Sequence, residues 1–222
     1  MSDAIGQVLS FAVAAGLSPI PIVGVVLMLG SPRGRANGPA FVAGWVVSIV
    51  VLGGVVLAVA GGAGADDSVQ GSATLMLALG VLLLVVALRQ WRSRPKAGEQ
   101  PEPPKWMAAV DSFTAVRSAA LAFALAVVNP KNLLLVVGAA VAIAQTGAST
   151  GDQVVALAVF TLIATLGVGT PVAIYFAMGE RSRQLLEDLK RWMARNNGAI
   201  MATICLVIGA KLIGDAIGGL GG

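Results

Sequence analysis

The sequence predicts an all-α integral membrane protein, with six transmembrane helices arranged as two inverted three-helix repeats in which helices 1 and 4 are broken. Three observations predict it. Of the 222 residues, 57% are hydrophobic and only 12% charged, with a mean hydropathy of +0.86, whereas a soluble domain carries roughly 25% charged residues. Apolar stretches near the length that crosses a bilayer, about 20 residues, recur along the whole chain. The basic residues gather in alternate connections between those stretches.

The apolar runs fall at about 4–30, 38–60, 72–88, 117–144, 153–178 and 198–217. The first follows the acidic start Ser2-Asp3 with no basic segment before it, and it is too long for a signal-peptide core, so it is expected to remain as the first span. Ser31-Pro32-Arg33-Gly34-Arg35 is a short basic turn, whereas the Gly-rich second connection holds Asp66-Asp67. The third connection, Arg89 to Val116, carries Arg89, Arg92, Arg94, Lys96 and Lys105. Its centre, Pro101-Glu102-Pro103-Pro104, cannot be helical and reads as a flexible linker. The fourth, around Thr150-Gly151-Asp152, has no basic residue, and the fifth has Arg181, Arg183, Lys190, Arg191 and Arg195.

Of the 15 Lys and Arg residues, all but Lys131 and Lys211 lie in or beside the first, third and fifth connections. The positive-inside rule puts those connections in the cytoplasm. The expectation is a multi-pass protein of the cytoplasmic (inner) membrane with both termini outside. Its organisation reads as a first three-helix repeat over 1–88, a cytoplasmic Pro-rich linker over 89–116 and a second repeat over 117–222. Within the fifth connection Leu185, Leu186, Leu189, Trp192 and Met193 recur at helical spacing among charged residues. They predict an amphipathic cytoplasmic helix at about 180–196, lying on the inner leaflet or packed as a linker.

Laying Ser18-Pro19 over Asn129-Pro130 sets Phe11–Leu17 over Ala122–Val128, a weak internal repeat. Because the first span starts outside and the fourth inside, a three-helix repeat is necessarily inverted, the plan of many secondary transporters. Proline inside a helix removes a hydrogen bond and clashes with the preceding turn, at about 3 kcal/mol or more. Ser18-Pro19-Ile20-Pro21 and Asn129-Pro130-Lys131-Asn132 would both place that break near mid-membrane, where the freed backbone groups need new partners. Pro19, Pro21 and Pro130 are the helix-breaking residues. Lys131 at such depth, costing about 2.5–3.5 kcal/mol on insertion scales, should face a wet cavity, a carbonyl or Asp215. Half-helices restarting after the prolines would aim positive dipole ends at the same space, and no carboxylate lies near either break to hold a divalent cation. An anionic or strongly polar head group therefore suits the place.

Histidine is absent and Cys205 is the lone cysteine, which removes imidazole metal sites, His-dependent triads and an intrachain disulfide. No metal, no cofactor and no nucleic-acid partner is expected, and nothing pairs a nucleophile with a base as an enzyme would require. Gly151-Asp152 and Gly214-Asp215 are bare dipeptides away from mid-span, too little for an intramembrane aspartyl protease. Thr165, Thr170 and Pro171 mark a kink candidate in the fifth span, with Gly167 and Gly169 offering close helix contact. Lys211 and Asp215, four apart, predict an intrahelical ion pair. Cys205 reads as a small buried residue. Gly53-Gly54 offers a small-residue face for a homodimer.

Leu17-Ser18-Pro19-Ile20-Pro21-Ile22, Ser31-Pro32-Arg33-Gly34-Arg35-Ala36-Asn37-Gly38, Phe41, Gly44-Trp45 and Asn129-Pro130-Lys131-Asn132-Leu133 together resemble the GAP family. That family includes the mycobacterial glycolipid- and sulfolipid-addressing proteins, within the larger lysine-exporter superfamily. The resemblance covers nearly the whole chain. It implies six helices in two inverted repeats and a role in moving glycolipids or related envelope molecules across the membrane or to the cell surface. Electron-carrying relatives place paired cysteines near the two prolines, where this chain has Ser18 and Asn129, so redox transfer is not expected.

The leading expectation is an exporter working by alternating access on a glycolipid or other anionic or polar envelope molecule. Ser18, Asn129 and Asn132 would bind polar groups and Lys131 the anionic one; Gly16, Gly24, Gly167 and Gly169 would allow close approach or bending. Membrane lipids and the cargo are the expected partners. Two rivals remain: an exporter of amino acids or similar small solutes, and a non-transporting scaffold that gathers lipid-synthesis enzymes through its cytoplasmic linker and basic helix.

Overall fold

The computed structural model describes residues 2–62, 65–93, 110 and 112–220, and among them the chain is helical throughout, without strands. The helices are α1 (Ser2–Gly16), α2 (Pro19–Gly30), α3 (Gly34–Gly62), α4 (Ala65–Arg92), α5 (Ala115–Val127), α6 (Pro130–Gln145), α7 (Thr150–Met178) and α8 (Ser182–Leu220). Three stretches are long and apolar enough to cross a membrane, Gly34–Ala60, Ala73–Arg92 and Thr150–Gly218, or five if the bent pairs α1–α2 and α5–α6 each count as one. Their outer faces fit a bilayer. Val47, Val51, Val55 and Val59 of α3, Val81 and Val85 of α4, and Leu206 and Val207 of α8 are exposed. A soluble monomer rarely shows so continuous an apolar surface.

Both expected breaks occur. α1 and α2 meet at 52°, and α5 and α6 at 70°. Pro19 and Pro130 stand in the first turn of the helix that each begins, where a missing N–H removes no intrahelical bond. Each proline therefore starts a helix rather than bending one.

Several boundaries differ from the sequence reading. Asp66-Asp67, read as part of a connection, fall within α4, which starts at Ala65. Thr150-Gly151-Asp152 form the first turn of α7, because the Ser149 hydroxyl accepts from the Asp152 amide as an N-cap. The real turn precedes it, with Gly147 at φ 61°. The basic amphipathic segment is not a separate helix. It continues without interruption into the last apolar stretch as the 39-residue α8. Leu186 packs with Val26 and Leu29 of α2, and Met193 with Ile22 and Val23, while Leu185 and Trp192 stay exposed. The centre of the third connection, including Pro101-Glu102-Pro103-Pro104, lies outside the described residues.

The residues after α2 act as a clasp. Asn37, fully buried, donates from Nδ2 to Ser31 Oγ at 3.0 Å and to the Phe113 carbonyl at 3.1 Å, and its own carbonyl accepts from Ser118 Oγ at 2.7 Å. The first connection is thereby fastened to the start of α5.

Long helices pack pairwise: α3 along α5, α1 along α7 and α6, and α4 along α8, while α2 lies against α8, α3 and α7. Glycine admits backbone contact at several crossings, among them that of α4 and α8, where a Cβ on Gly80 or Gly209 would lie 2.9 Å from the other's carbonyl. A Cβ on Gly167 of α7 would lie 1.8 Å from the Gly16 carbonyl of α1, and one on Gly44 of α3 would lie 2.2 Å from the Ala119 carbonyl of α5. Gly24 meets the ring of Phe41, so it also permits close packing, whereas the nearest atom to a Cβ on Gly169 belongs to Thr165 in its own helix, at 3.9 Å. Gly53 faces Leu157 within the chain and Gly54 faces open space, so only half of the supposed dimer face is free.

Candidate functional site

The two breaks meet, and the second one satisfies the first. Where α1 ends, Leu17 N–H still reaches the Val13 carbonyl, but the Ala14 carbonyl has lost its donor from the next turn. Lys131 supplies one, its Nζ donating to the Ala14 oxygen at 2.8 Å. Where α5 ends, Val128 N–H reaches the Ala124 carbonyl, and the Leu125 carbonyl takes Nδ2 of Asn132 at 3.2 Å. Asn132 turns its other end to the first break, accepting from Ser18 Oγ at 2.6 Å.

The register that lays Ser18 over Asn129 also lays Val13 over Ala124 and Ala14 over Leu125, so the same carbonyl is orphaned in each break. The rescue is one-sided for a reason visible in the sequence. The counterparts of Lys131 and Asn132 in the first break are Ile20 and Pro21, whose side chains have no donor.

Ser18, Lys131 and Asn132 are essentially sealed from solvent, at 1%, 0% and 1% exposure. Asn129 takes a different place. It is half-buried, and its Oδ1 accepts from the Lys131 amide at 3.1 Å as the N-cap of α6. Ser18 occupies the matching cap position of α2 but makes no cap bond, since its hydroxyl is committed to Asn132. The four expected binding residues thus come together as one bonded side-chain pair, one lysine on a carbonyl of the other break and one cap.

The Lys131 ammonium is the charged centre of this arrangement. An ammonium has three donors, and here one is used, on a neutral carbonyl. Among the described residues no carboxylate pairs with it, Asp215 included. Cys205, fully buried, lies within electrostatic reach of it. No group of three or more His, Cys, Asp or Glu that could hold a metal ion occurs among the described residues.

Cavities open at the two ends of the molecule. One of about 830 Å³ lies where α2 finishes and α8 begins, lined among others by Leu29, Ser31, Tyr175, Arg183 and Lys190. The other, about 580 Å³, includes Asp3, Gln7, Gln145, Thr146 and Asp215. Lys211 donates to Asp215 at 2.5 Å, the expected ion pair, and also to Gln7 Oε1 at 3.3 Å. Thr165 and Thr170 bond back to the carbonyls of Thr161 and Leu166 in their own helix, which runs unbroken through the buried Pro171. They serve α7, not the breaks.

Sequence reasoning found the break residues but not the Ala14 and Leu125 carbonyls that receive them. Position alone carried the signal: each stands four residues ahead of the residue before a proline, Ser18 or Asn129, which is held extended so that its amide no longer reaches back. Nor did the sequence bring Cys205 within electrostatic reach of Lys131, a relation between distant helices with no local pattern.

No curated protein and no solved structure matches the chain. One family model does, described as Sap, sulfolipid-1-addressing protein, and it matches residues 8–218, taking in both breaks and the clasp around Asn37. The chain belongs to the sulfolipid-1-addressing protein family.

Proposed function

We propose that this protein carries a sulfolipid or related anionic glycolipid across the cytoplasmic membrane by alternating access, with Lys131 binding the charged head group. The observation that carries the reading is the Lys131 ammonium, fully buried, with a single neutral partner and two N–H donors left over. Placing a lysine at such depth costs about 2.5–3.5 kcal/mol on insertion scales, and while one carbonyl bond to a charged donor can return about 1.5–3 kcal/mol, it leaves the charge itself without a counter-charge. An oxyanion would satisfy both remaining donors and the charge. A family named for addressing a sulfolipid supports a lipid bearing such a group. The chain is a carrier rather than an enzyme on this reading, since the Ser18 hydroxyl faces an amide and no base.

The same reading counts six crossings in two inverted halves, with both termini outside. α7 and α8 meet at Gly179, whose φ of 55° breaks the helix, and taken as one span Thr150–Gly218 would reach about 100 Å at 1.5 Å per residue. Counting α7 and α8 separately, with each bent pair as one, supports six. The packing pattern also keeps its form when α1–α4 are exchanged with α5–α8: α1 on α7 becomes α5 on α3, and α2 on α8 becomes α6 on α4. Placement within the lysine-exporter superfamily belongs to this proposal as well. With Ser18, Lys131 and Asn132 sealed from solvent the carrier is occluded, and rocking of the halves would part the two breaks and open the lysine to one cavity or the other.

The test compares surface-extractable with total sulfated glycolipid in cells lacking the protein, then in cells complemented with the native chain or Lys131→Ala at equal membrane abundance. Depletion of the surface pool alone, unrestored by Lys131→Ala, is expected. Full restoration by Lys131→Ala removes the lysine from the mechanism. A surface pool unchanged by deletion points instead to a soluble solute or to the scaffold role.

A further inference from the structure

Towards the outer end of the same helix face, a second lysine stands over a buried ring. Asp3, Gln7, Phe11 and Ala14 succeed one another along α1 at spacings of three or four, which keeps them on one face, and Ser18 follows in the break. Ala14 and Ser18 are held by the second break. Asp3 and Gln7 line the 580 Å³ cavity. Phe11 sits between these two groups, fully buried and packed on α6 at Gly138, where a Cβ would come within 3.1 Å of the ring. Lys211 of α8 holds its ammonium 5.3 Å from the centre of the Phe11 ring, steadied by Asp215 and Gln7.

We propose that Lys211 is a second anion-binding station, reached from Lys131 when the Phe11 ring swings aside, which receives the oxyanion head group before its release into the cavity beside Asp215. The assignment rests on the carrier reading of Lys131 and adds its exit route. Whatever passes Phe11 meets the Lys211 ammonium. With no cargo present, Asp215 neutralises Lys211 and holds it over the ring. An arriving oxyanion competes with that carboxylate. The competition keeps the station weak, and Asp3 and Asp215 at the cavity do not retain an anion, as release requires.

Cys205 supplies the reporter, being the chain's lone cysteine, buried and within electrostatic reach of Lys131. The full-length protein in nanodiscs is treated with an anionic reagent, sulfonatoethyl methanethiosulfonate, and with a cationic one, trimethylammonioethyl methanethiosulfonate. Native Cys205 should react slowly with both. Phe11→Ala, and the milder Phe11→Leu in case the first misfolds, should each raise the anionic rate at least tenfold. In the Phe11→Leu background, Lys211→Gln should lower the anionic rate several-fold without lowering the cationic one, Lys211→Arg should leave the ratio unchanged, and Asp215→Asn should raise it. Cys205 remaining unreactive in both Phe11 variants overturns the route, and a charge ratio indifferent to Lys211→Gln overturns the station. Neither readout involves a lipid, so the carrier reading stands or falls separately on the surface-pool comparison.

Discussion

Lys131 in the second break donates its ammonium to the Ala14 carbonyl in the first, at 2.8 Å and across 117 positions of sequence. The bond ties the two breaks together. On the proposed carrier reading, the junction opens only when an alternative partner for the ammonium, or water, replaces the carbonyl.

Ser18 and Asn132 form the second tie, and its strength is measurable. Interhelical hydrogen bonds in membrane proteins average about 0.6 kcal/mol and reach about 1.7, because partners are also found in the unfolded, membrane-embedded state. Ser18→Ala should lower unfolding free energy in mixed micelles by an amount in that range. Adding Asn132→Leu should cost less than the sum of the single changes, since the two side chains share one bond. Additive losses would mean that the bond contributes nothing.

Gly167 and Gly169 make a paired control for the α1–α7 crossing. Gly167→Ala sets a methyl 1.8 Å from the Gly16 carbonyl, while Gly169→Ala meets nothing closer than 3.9 Å. Backbone cannot yield as a side-chain tip can. Gly167→Ala should destabilise the protein by about 1–3 kcal/mol or more, seen as a lower thermal midpoint in detergent, and Gly169→Ala should not.

The inner part of α8 has one packed and one bare side. Leu186 is buried against α2 and α7, whereas Trp192 is about half exposed. Leu186→Ala should cost about 2–5 kcal/mol if the site behaves as a core position. Trp192→Ala should stay within about 0.5 kcal/mol, as surface changes do. Chemical denaturation of the two variants separates them.

Much of the fold was legible because bilayer length and proline chemistry act locally. The breaks at Ser18-Pro19 and Asn129-Pro130 were legible from proline, although each proline begins a helix instead of bending one, and the Lys211–Asp215 pair from helical spacing. Boundaries were less legible. Asp66-Asp67 and Thr150-Gly151-Asp152 look like loops by polarity, yet helices extend through polar residues until their caps end them. The amphipathic run at 185–193 carried a clear period, but Asn197-Gly198 resembles a helix terminus, and only packing beyond it lets α8 run on into the last apolar stretch. At the candidate site the sequence named Ser18, Lys131 and Asn132 but not their partners, because the acceptors are carbonyls of Ala14 and Leu125. Backbone acceptors leave no compositional trace. Part of the family resemblance proves to be packing: Asn37 makes the clasp, Phe41 covers Gly24, and Gly44 lets α5 approach.

The most direct test of the anion site is head-group discrimination by the purified protein in nanodiscs, using a sulfated galactosylceramide and its unsulfated counterpart as probes in native mass spectrometry. The native chain should prefer the sulfated lipid at least tenfold, equivalent to about 1.4 kcal/mol, and Lys131→Met should erase the preference while still binding both lipids weakly. Equal preference in the native and Lys131→Met proteins, or none in either, would contradict the assignment of Lys131 as the group that holds the cargo's charge.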